Sequence, residues 1–302
     1  MVNNCISIDE VIKRCRINGF HTLLDKIMYS VSLVQKVEKL ALQLDPDNGY
    51  YLAFSGGKDS QVLYHITMLA GVKFKPHMNL TSVDPPEVIQ FVKNNYPDVE
   101  LIRPSVSIYT MALRKKMLPT RLIRWCCKEF KEMSGAGLVT LIGIRHSESV
   151  RRSRRNELSM QIKGVRSELS FDQWESHNES MITCVNGRDK ILLSPIITWT
   201  DRDVWTFLNV VMKVEHCVLY DQGYTRIGCI GCPMSSARQK NREFTRYPHV
   251  RNNWLKVCQQ LIDNGNIRYN FTTPEQLFDW WISGKSYDEW YNNNVTQQKI
   301  NW

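Results

Sequence analysis

The chain has 302 residues, 43% of them hydrophobic and 23% charged, and a formal net charge of +9. These values suit one large or two small soluble globular domains, and the charge favours an anionic partner such as a nucleotide or nucleic acid. No run of eighteen apolar residues occurs, which excludes a membrane-spanning helix, and the start lacks the charged and apolar blocks of a signal peptide. A cytoplasmic location without membrane attachment is expected. Its nine cysteines are then expected to be free, catalytic or metal-bound rather than disulfide-paired.

In chain order, the apolar stripe of Leu23, Leu24, Ile27, Val31, Val34, Val37, Leu40 and Leu44 predicts a helix over residues 7–44. Asp45-Pro46-Asp47 ends it. Tyr50-Tyr51-Leu52-Ala53-Phe54 reads as a buried strand and Ser55-Gly56-Gly57-Lys58-Asp59-Ser60 as a glycine-rich turn. Val62, Leu63, Ile66, Leu69 and Ala70 then recur at helical spacing up to Gly71. A second strand is predicted at residues 75–81, a helix from Pro86 to Asn95, a third strand at 99–102 and a helix at 106–118. Leu138 to Arg145 reads as another buried strand, followed by the densest basic run of the chain, which ends at Arg155. Residues 181–193 read as a hairpin turning at Asn186-Gly187. Thr200 or Asp201 caps a further helix, and the chain from residue 235 is helical and rich in Trp and Tyr. Strands alternating with helices imply an α/β fold with a parallel sheet. The expected segments are an N-terminal helical segment (1–45), a nucleotide-binding and cysteine-bearing core (46–234) and a C-terminal helical region (235–302).

The turn at Ser55–Ser60 has the parts of a phosphate cradle. Adjacent glycines let the backbone approach a ligand, and successive N–H groups at a helix start favour an anion. Lys58 supplies a point charge for phosphate and Asp59 a carboxylate for magnesium, and both are expected in a solvated turn. In a parallel sheet ligands bind beyond the carboxyl ends of the strands. Asp84 lies in that position, and so do Arg145 and Arg152, which are candidates for contact with the nucleotide or its leaving phosphates. Read as one continuous helix, the basic run stacks Arg151 on Arg155, and Arg151, Arg154 and Arg155 are candidates for nucleic-acid phosphates.

Cys126-Cys127 and Cys229-x-x-Cys232 together supply four thiols. Four thiolates serve either a [4Fe–4S] cluster or a zinc ion, and a C-x-x-C pair alone also matches a redox dithiol.

With these pieces the chain resembles the PAPS reductase family of the PP-loop ATP pyrophosphatase superfamily. The resemblance runs from Tyr51 to about Met234. It rests on Ser55–Ser60, Val83-Asp84-Pro85-Pro86-Glu87, Cys126-Cys127-Lys128, Gly143-Ile144-Arg145 with Glu148-Ser149 and Arg152, Pro195-Ile196 with Trp199, and Gly223–Pro233. It implies a five-stranded parallel sheet of the adenine-nucleotide alpha hydrolase type that binds an adenylyl nucleotide, with Gly143 among the binding residues. The cysteine pairs are similar to the cluster ligands of APS reductases and of the ATP pyrophosphatase of DNA phosphorothioation systems, which implies [4Fe–4S] in preference to zinc.

Two departures divide the subfamilies. The reductases end in a tail carrying a single nucleophilic cysteine, whereas the last cysteine here is Cys258, inside a predicted helix. They also usually lack the full loop with Lys and Asp, which this chain keeps at Lys58 and Asp59. The expectation is an ATP pyrophosphatase with Lys58, Asp59 and Arg145 as catalytic residues and with ATP, Mg2+ and a [4Fe–4S] cluster as cofactors. It would couple adenylylation to sulfur transfer, with a donor such as a cysteine desulfurase, a DNA or RNA acceptor, and a homo-oligomeric state. A sulfonucleotide reductase drawing on Cys258, and a non-catalytic nucleotide-binding subunit of a nucleic-acid complex, are the alternatives.

Overall fold

The computed structural model describes residues 6–132, 134–150, 152–162, 165–170, 189–267 and 269–294. The chain divides into two compact units. The first comprises Met1–Asn79, Pro86–Ile102 and Met133–Ile227, and the second Leu80–Pro85, Arg103–Glu132 and Gly228–Trp302. Both are discontinuous in sequence.

The first unit is built on a mixed sheet of seven strands. Five of them are mutually parallel: β1 (Tyr50–Ala53), β2 (Phe74–Asn79), β3 (Glu100–Ile102), β4 (Val139–Leu141) and β7 (Lys190–Leu193). The remaining two, β5 (Leu158–Ile162) and β6 (Val165–Leu169), form an antiparallel hairpin added to the β7 edge. The order is β3-β2-β1-β4-β7-β5-β6. The expected count of five is therefore corrected to seven. The two extra strands were missed because Gln161, Arg166 and Glu168 break the apolar run that marks a buried strand. The hairpin expected at 181–193 is corrected in its second half. Residues 190–193 pair in parallel with β4 and antiparallel with β5, and Met181 to Val185 lie outside the described residues.

The helix expected over 7–44 is two helices, α1 (Ile8–Ile17) and α2 (His21–Leu44), separated by a turn at Gly19. The long α2 keeps its apolar stripe against the sheet unit. The Tyr50 hydroxyl donates to the Val34 carbonyl (2.5 Å), and Ser30 links the Pro195 carbonyl to the Trp199 indole. Two further helices are α3 (Lys58–Ala70) and α4 (Pro86–Asn95). An aromatic group of Phe54, Tyr64, Tyr96 and Phe91 packs between β1 and these helices.

The chain leaves β1, runs outward through β2 and β3, and returns on the other side of β1 as β4. This reversal makes the carboxyl ends of β1 and β4 a topological switch point, the place where doubly wound sheets receive their ligands.

The second unit is helical. It contains α5 (Ile108–Lys115), the short α6 (Trp125–Cys127), α8 (Ala237–Arg246), α9 (Pro248–Asp263), α10 (Pro274–Ser283) and α11 (Tyr287–Asn294); α7 (Asp201–Thr206) belongs to the first unit. Trp125, Phe130, Phe244, Trp254, Phe278 and Trp281 share one apolar core there. The Trp281 indole N–H donates to the Pro119 carbonyl (2.6 Å), so the C-terminal helices are stitched to an internal segment. No helix among the described residues is long and apolar enough to cross a membrane.

Candidate functional site

Ala53 ends β1 and Lys58 opens α3, with Ser55, Gly56 and Gly57 between them. Gly56 takes φ +70°, and a Cβ there would stand 2.7 Å from the Val88 side chain, so only glycine fits the turn. Gly57 occupies the N-cap. Ser60 closes the loop: its hydroxyl donates to the Gly57 carbonyl (2.8 Å) and accepts the Ser55 N–H (3.1 Å). The Lys58 N–H donates to the Tyr220 hydroxyl (2.8 Å), and burial holds that phenol well above its ordinary pKa. The Lys58 amide is thus already engaged within the protein. Gly56, Asp59 and Ser60 keep N–H groups without an acceptor among the described residues.

Lys58 and Asp59 do not lie in a solvated turn. Lys58 is only 7% exposed. Its Nζ stands 3.3 Å from Asp59 Oδ2 and 3.3 Å from Asp201 Oδ1. Arg145, 1% exposed, places Nε 2.7 Å from Asp59 Oδ1 and Nη2 2.6 Å from Asp201 Oδ1. Its Nη1 donates to Ser147 Oγ (2.8 Å) and to the Trp199 carbonyl (3.2 Å). Burial opposes the guanidinium charge, but Asp59 and Asp201 outweigh it and raise the Arg145 pKa. Burial likewise opposes ionisation of Asp201, and Arg145 and Lys58 outweigh it, holding that carboxyl below its usual range.

Two cations and two carboxylates thus interlock at the switch point. Gly143 makes the approach possible, because a Cβ there would stand 3.0 Å from the Asp59 carbonyl oxygen. Asp201 and Tyr220 were not singled out as functional from sequence. The signal for Asp201 was its place in the first turn of α7, just after Trp199-Thr200. Both Asp59 oxygens are engaged by cations, so magnesium could take Asp59 only by displacing one of them. The donor set, two carboxylates beside a phosphate loop, fits that ion in kind.

The basic run is not one helix. His146–Glu148 is a single 3-10 turn capped by Arg145, and turns follow it. Arg152 pairs with Glu148, whose Oε2 also accepts the Arg145 N–H (2.9 Å). Arg154 is exposed, Arg155 is half-buried and Arg151 lies outside the described residues. The serines and turns of this stretch compete with helix formation: the Ser153 hydroxyl donates to the Val150 carbonyl and the Arg152 N–H to Ser149 Oγ.

Asp84 belongs to the second unit. Its carboxylate accepts the Thr81 N–H (2.5 Å) and lies 3.0 Å from the Thr81 hydroxyl, which in turn is 3.4 Å from Cys229 Sγ. All four candidate ligands, Cys126, Cys127, Cys229 and Cys232, are also in this unit, half-buried and not joined in disulfides. The Cys126 thiol donates to Cys127, which lowers the Cys127 pKa against the effect of burial, with Arg124 and Lys131 assisting. That hydrogen bond, then burial, then the neighbouring Cys127, Cys229 and Cys232 sulfurs raise the Cys126 pKa. Cys229 in turn raises the Lys131 pKa.

The Cys229–Cys232 loop is held from α8. The Gly231 N–H donates to Glu243 Oε2 (2.7 Å), and at φ +72° a Gly231 Cβ would meet the Phe244 ring at 2.2 Å. The four thiols therefore fit a four-thiolate centre in donor type and neighbourhood. Among the described residues, no three His, Cys, Asp or Glu side chains are placed to hold one metal ion. Cys258 is fully buried in α9, and burial pushes its thiol up to about 12, which disfavours the thiolate a nucleophile needs.

An uncharacterised protein of Methanocaldococcus jannaschii is 27% identical over 290 residues, covering 87% of this chain and 60% of its own length. A probable FAD synthase of Schizosaccharomyces pombe is 24% identical over 65% of each chain. An adenosine 5'-phosphosulfate reductase of a Geobacillus strain is 27% identical over 48% of this chain and 55% of its own. The chain spans between 42% and 65% of the length of the curated relatives it matches. Among solved structures, an FMN adenylyltransferase of Candida glabrata superposes with a TM-score of 0.45 at 15% identity, covering 70% of this chain and 64% of that one. A PAPS reductase of Candida auris superposes with a TM-score of 0.39 at 17% identity, covering 65% and 87%. The family model of the phosphoadenosine phosphosulfate reductase domain matches residues 49–235, and the chain belongs to that family.

Proposed function

We propose that this chain is an ATP pyrophosphatase of the PP-loop type. It would transfer the adenylyl group of ATP to an acceptor oxygen, release pyrophosphate, and let a sulfur nucleophile displace AMP. The observation that supports this reading best is the Lys58–Asp59–Arg145–Asp201 network beside the loop. Lys58 sits between two carboxylates at 3.3 Å each, a looser hold than the 2.6–2.7 Å contacts of Arg145. Phosphate oxygens carry enough charge to draw the ammonium to themselves, while Arg145 stays fixed. The amides of Gly56, Asp59 and Ser60 add preorganised donors for the charge that develops during displacement. Asp59 and Asp201 would hold magnesium, which when bound neutralises phosphate charge.

Relatives named as a probable FAD synthase and an adenosine 5'-phosphosulfate reductase are consistent with an adenylyl nucleotide in this site. Cys126, Cys127, Cys229 and Cys232 would hold a [4Fe–4S] cluster, which when bound supplies an iron–sulfur centre ligated only by thiolates. A cysteine desulfurase would supply sulfur, and Arg151, Arg154 and Arg155 would meet a DNA or RNA acceptor. The alternative, a sulfonucleotide reductase, is favoured by the reductase relative, but burial of Cys258 disfavours the thiolate it needs. Incubating anaerobically purified protein with ATP and magnesium, or with APS or PAPS plus thioredoxin, separates the two. Pyrophosphate from ATP is expected, and sulfite without pyrophosphate would overturn the proposal.

A further inference from the structure

Tyr220 comes to the phosphate loop from 162 residues further along the chain, within the same compact unit. Its hydroxyl oxygen accepts the Lys58 N–H at 2.8 Å. A Cβ on Gly57 would stand 3.4 Å from that oxygen and 3.4 Å from Ser55 Oγ. The phenol oxygen therefore rests over the N-cap of α3, where a bound anion would otherwise accept the same amide. A phenol can accept at its oxygen and give its own proton at once. Tyr220 accepts, but it donates to no acceptor among the described residues. Burial holds its pKa above the ordinary phenol value, outweighing the opposing effect of the Lys58 amide, so the proton stays on the oxygen at neutral pH. The ring is held as well. It packs edge-on against Trp205, with centroids 4.9 Å apart, and against His216 at 6.1 Å, and His216 pairs with Asp221 at 2.9 Å. A fixed, half-buried O–H without an acceptor thus stands beside the Gly56, Asp59 and Ser60 amides, which lack one too. Donors held in place before the ligand arrives bind an anion at little cost in reorganisation.

We propose that Tyr220 is a phosphate-binding residue of this site: its oxygen takes up the Lys58 amide, and its O–H stands in for that amide as the donor to the ligand. The donor is displaced outward from the loop by the 2.8 Å of that hydrogen bond. It therefore addresses an oxygen outside the cradle of backbone amides, and the anion best held is a pair of linked anionic groups rather than one. Tyr220 makes the loop discriminate a diphosphate from a monophosphate. The donor role follows from the contacts of Tyr220 itself; naming the anion the pyrophosphate part of ATP rests on the ATP reading.

The test is calorimetric titration of the whole protein with a nonhydrolysable ATP analogue, inorganic pyrophosphate, adenosine 5'-phosphosulfate and AMP. Tyr220→Phe keeps the ring against Trp205 and His216 and removes only the O–H. In this variant the dissociation constants of the analogue and of pyrophosphate are expected to rise by about tenfold, the effect of one hydrogen bond to a charged group. The dissociation constant of AMP is expected to stay at the wild-type value, which also reports that the variant is folded. Equal weakening of AMP would assign Tyr220 to the shape of the loop alone and overturn the proposal. Unchanged binding of pyrophosphate and the analogue would overturn it too. So would tighter binding of either, which would make Tyr220 a plug that the ligand displaces. Failure of the ATP reading registers on a different arm, as wild type that binds adenosine 5'-phosphosulfate but not the analogue. In that case weaker binding of adenosine 5'-phosphosulfate by Tyr220→Phe upholds the role of Tyr220, and equal binding overturns it. Wild type that binds none of the four has no anion site for Tyr220 to serve, and the proposal falls.

Discussion

Arg145 Nε lies 2.7 Å from Asp59 Oδ1, and this pair fastens the chain after β4 to the first turn of the helix after β1. Two strands that are neighbours only through a long crossover thereby share one electrostatic centre. Asp201, from a third segment, closes it with a second contact of 2.6 Å to the same guanidinium.

Asp59→Ala leaves a guanidinium of 1% exposure with one carboxylate instead of two. Stranding part of a buried charge costs about 3 kcal/mol. Denaturant unfolding of the variant is expected to show a loss of that size, and an unchanged midpoint would mean that Asp201 alone satisfies Arg145.

Lys58→Ala removes a cation while Asp59 and Asp201 both remain paired with Arg145. Its unfolding midpoint is therefore expected near wild type. Pyrophosphate release from ATP is expected to fall by about a hundredfold or more, the effect of losing one charge-stabilising donor. Turnover at the wild-type rate would remove Lys58 from the phosphate site.

His65 is 4% exposed, with Nε2 3.1 Å from the Tyr96 hydroxyl, which also accepts from Gln61 (2.9 Å). Tyr96 therefore donates to His65, which sits neutral, and burial pushes its pKa down to about 4 from 6.5. The unfolded chain binds this proton first as pH falls. The stability is full above pH 6.5, declines below it, and is lost as pH approaches 4, amounting to about 2 kcal/mol by pH 5. Unfolding midpoints between pH 7 and pH 5 should fall more steeply in wild type than in His65→Gln. Parallel curves would show that His65 charges freely in the folded protein.

Anaerobic protein supplied with iron and sulfide is expected to turn brown, with broad absorption near roughly 400 nm. Replacing Cys126, Cys127, Cys229 or Cys232 by Ser should bleach it, while Cys258→Ser, a change in the apolar core, should not. Colourless protein with one zinc per chain would assign the thiols to a tetrahedral zinc site instead.

The sequence by itself determined the local pieces. Apolar runs located β1, β3, β4 and β7, residues 75–81 were read as the strand that became β2, and the glycine pair before Lys58 located the loop, because strand burial and positive φ angles are properties of short stretches. The cysteine pairs were likewise legible as pairs. The tertiary structure decided what those pieces meet. Asp201 joins Lys58 and Arg145 across more than fifty residues of sequence only because β4 and β7 lie side by side. The hairpin of β5 and β6 escaped notice because its strands carry charged residues whose use depends on a neighbouring edge. Lys58 and Asp59 looked solvated for the same reason. Their burial comes from Arg145, Asp201 and Tyr220, which arrive from distant parts of the chain. Local pattern fixes which backbone shape a segment adopts, whereas burial and charge pairing are set by whichever segments the topology brings alongside.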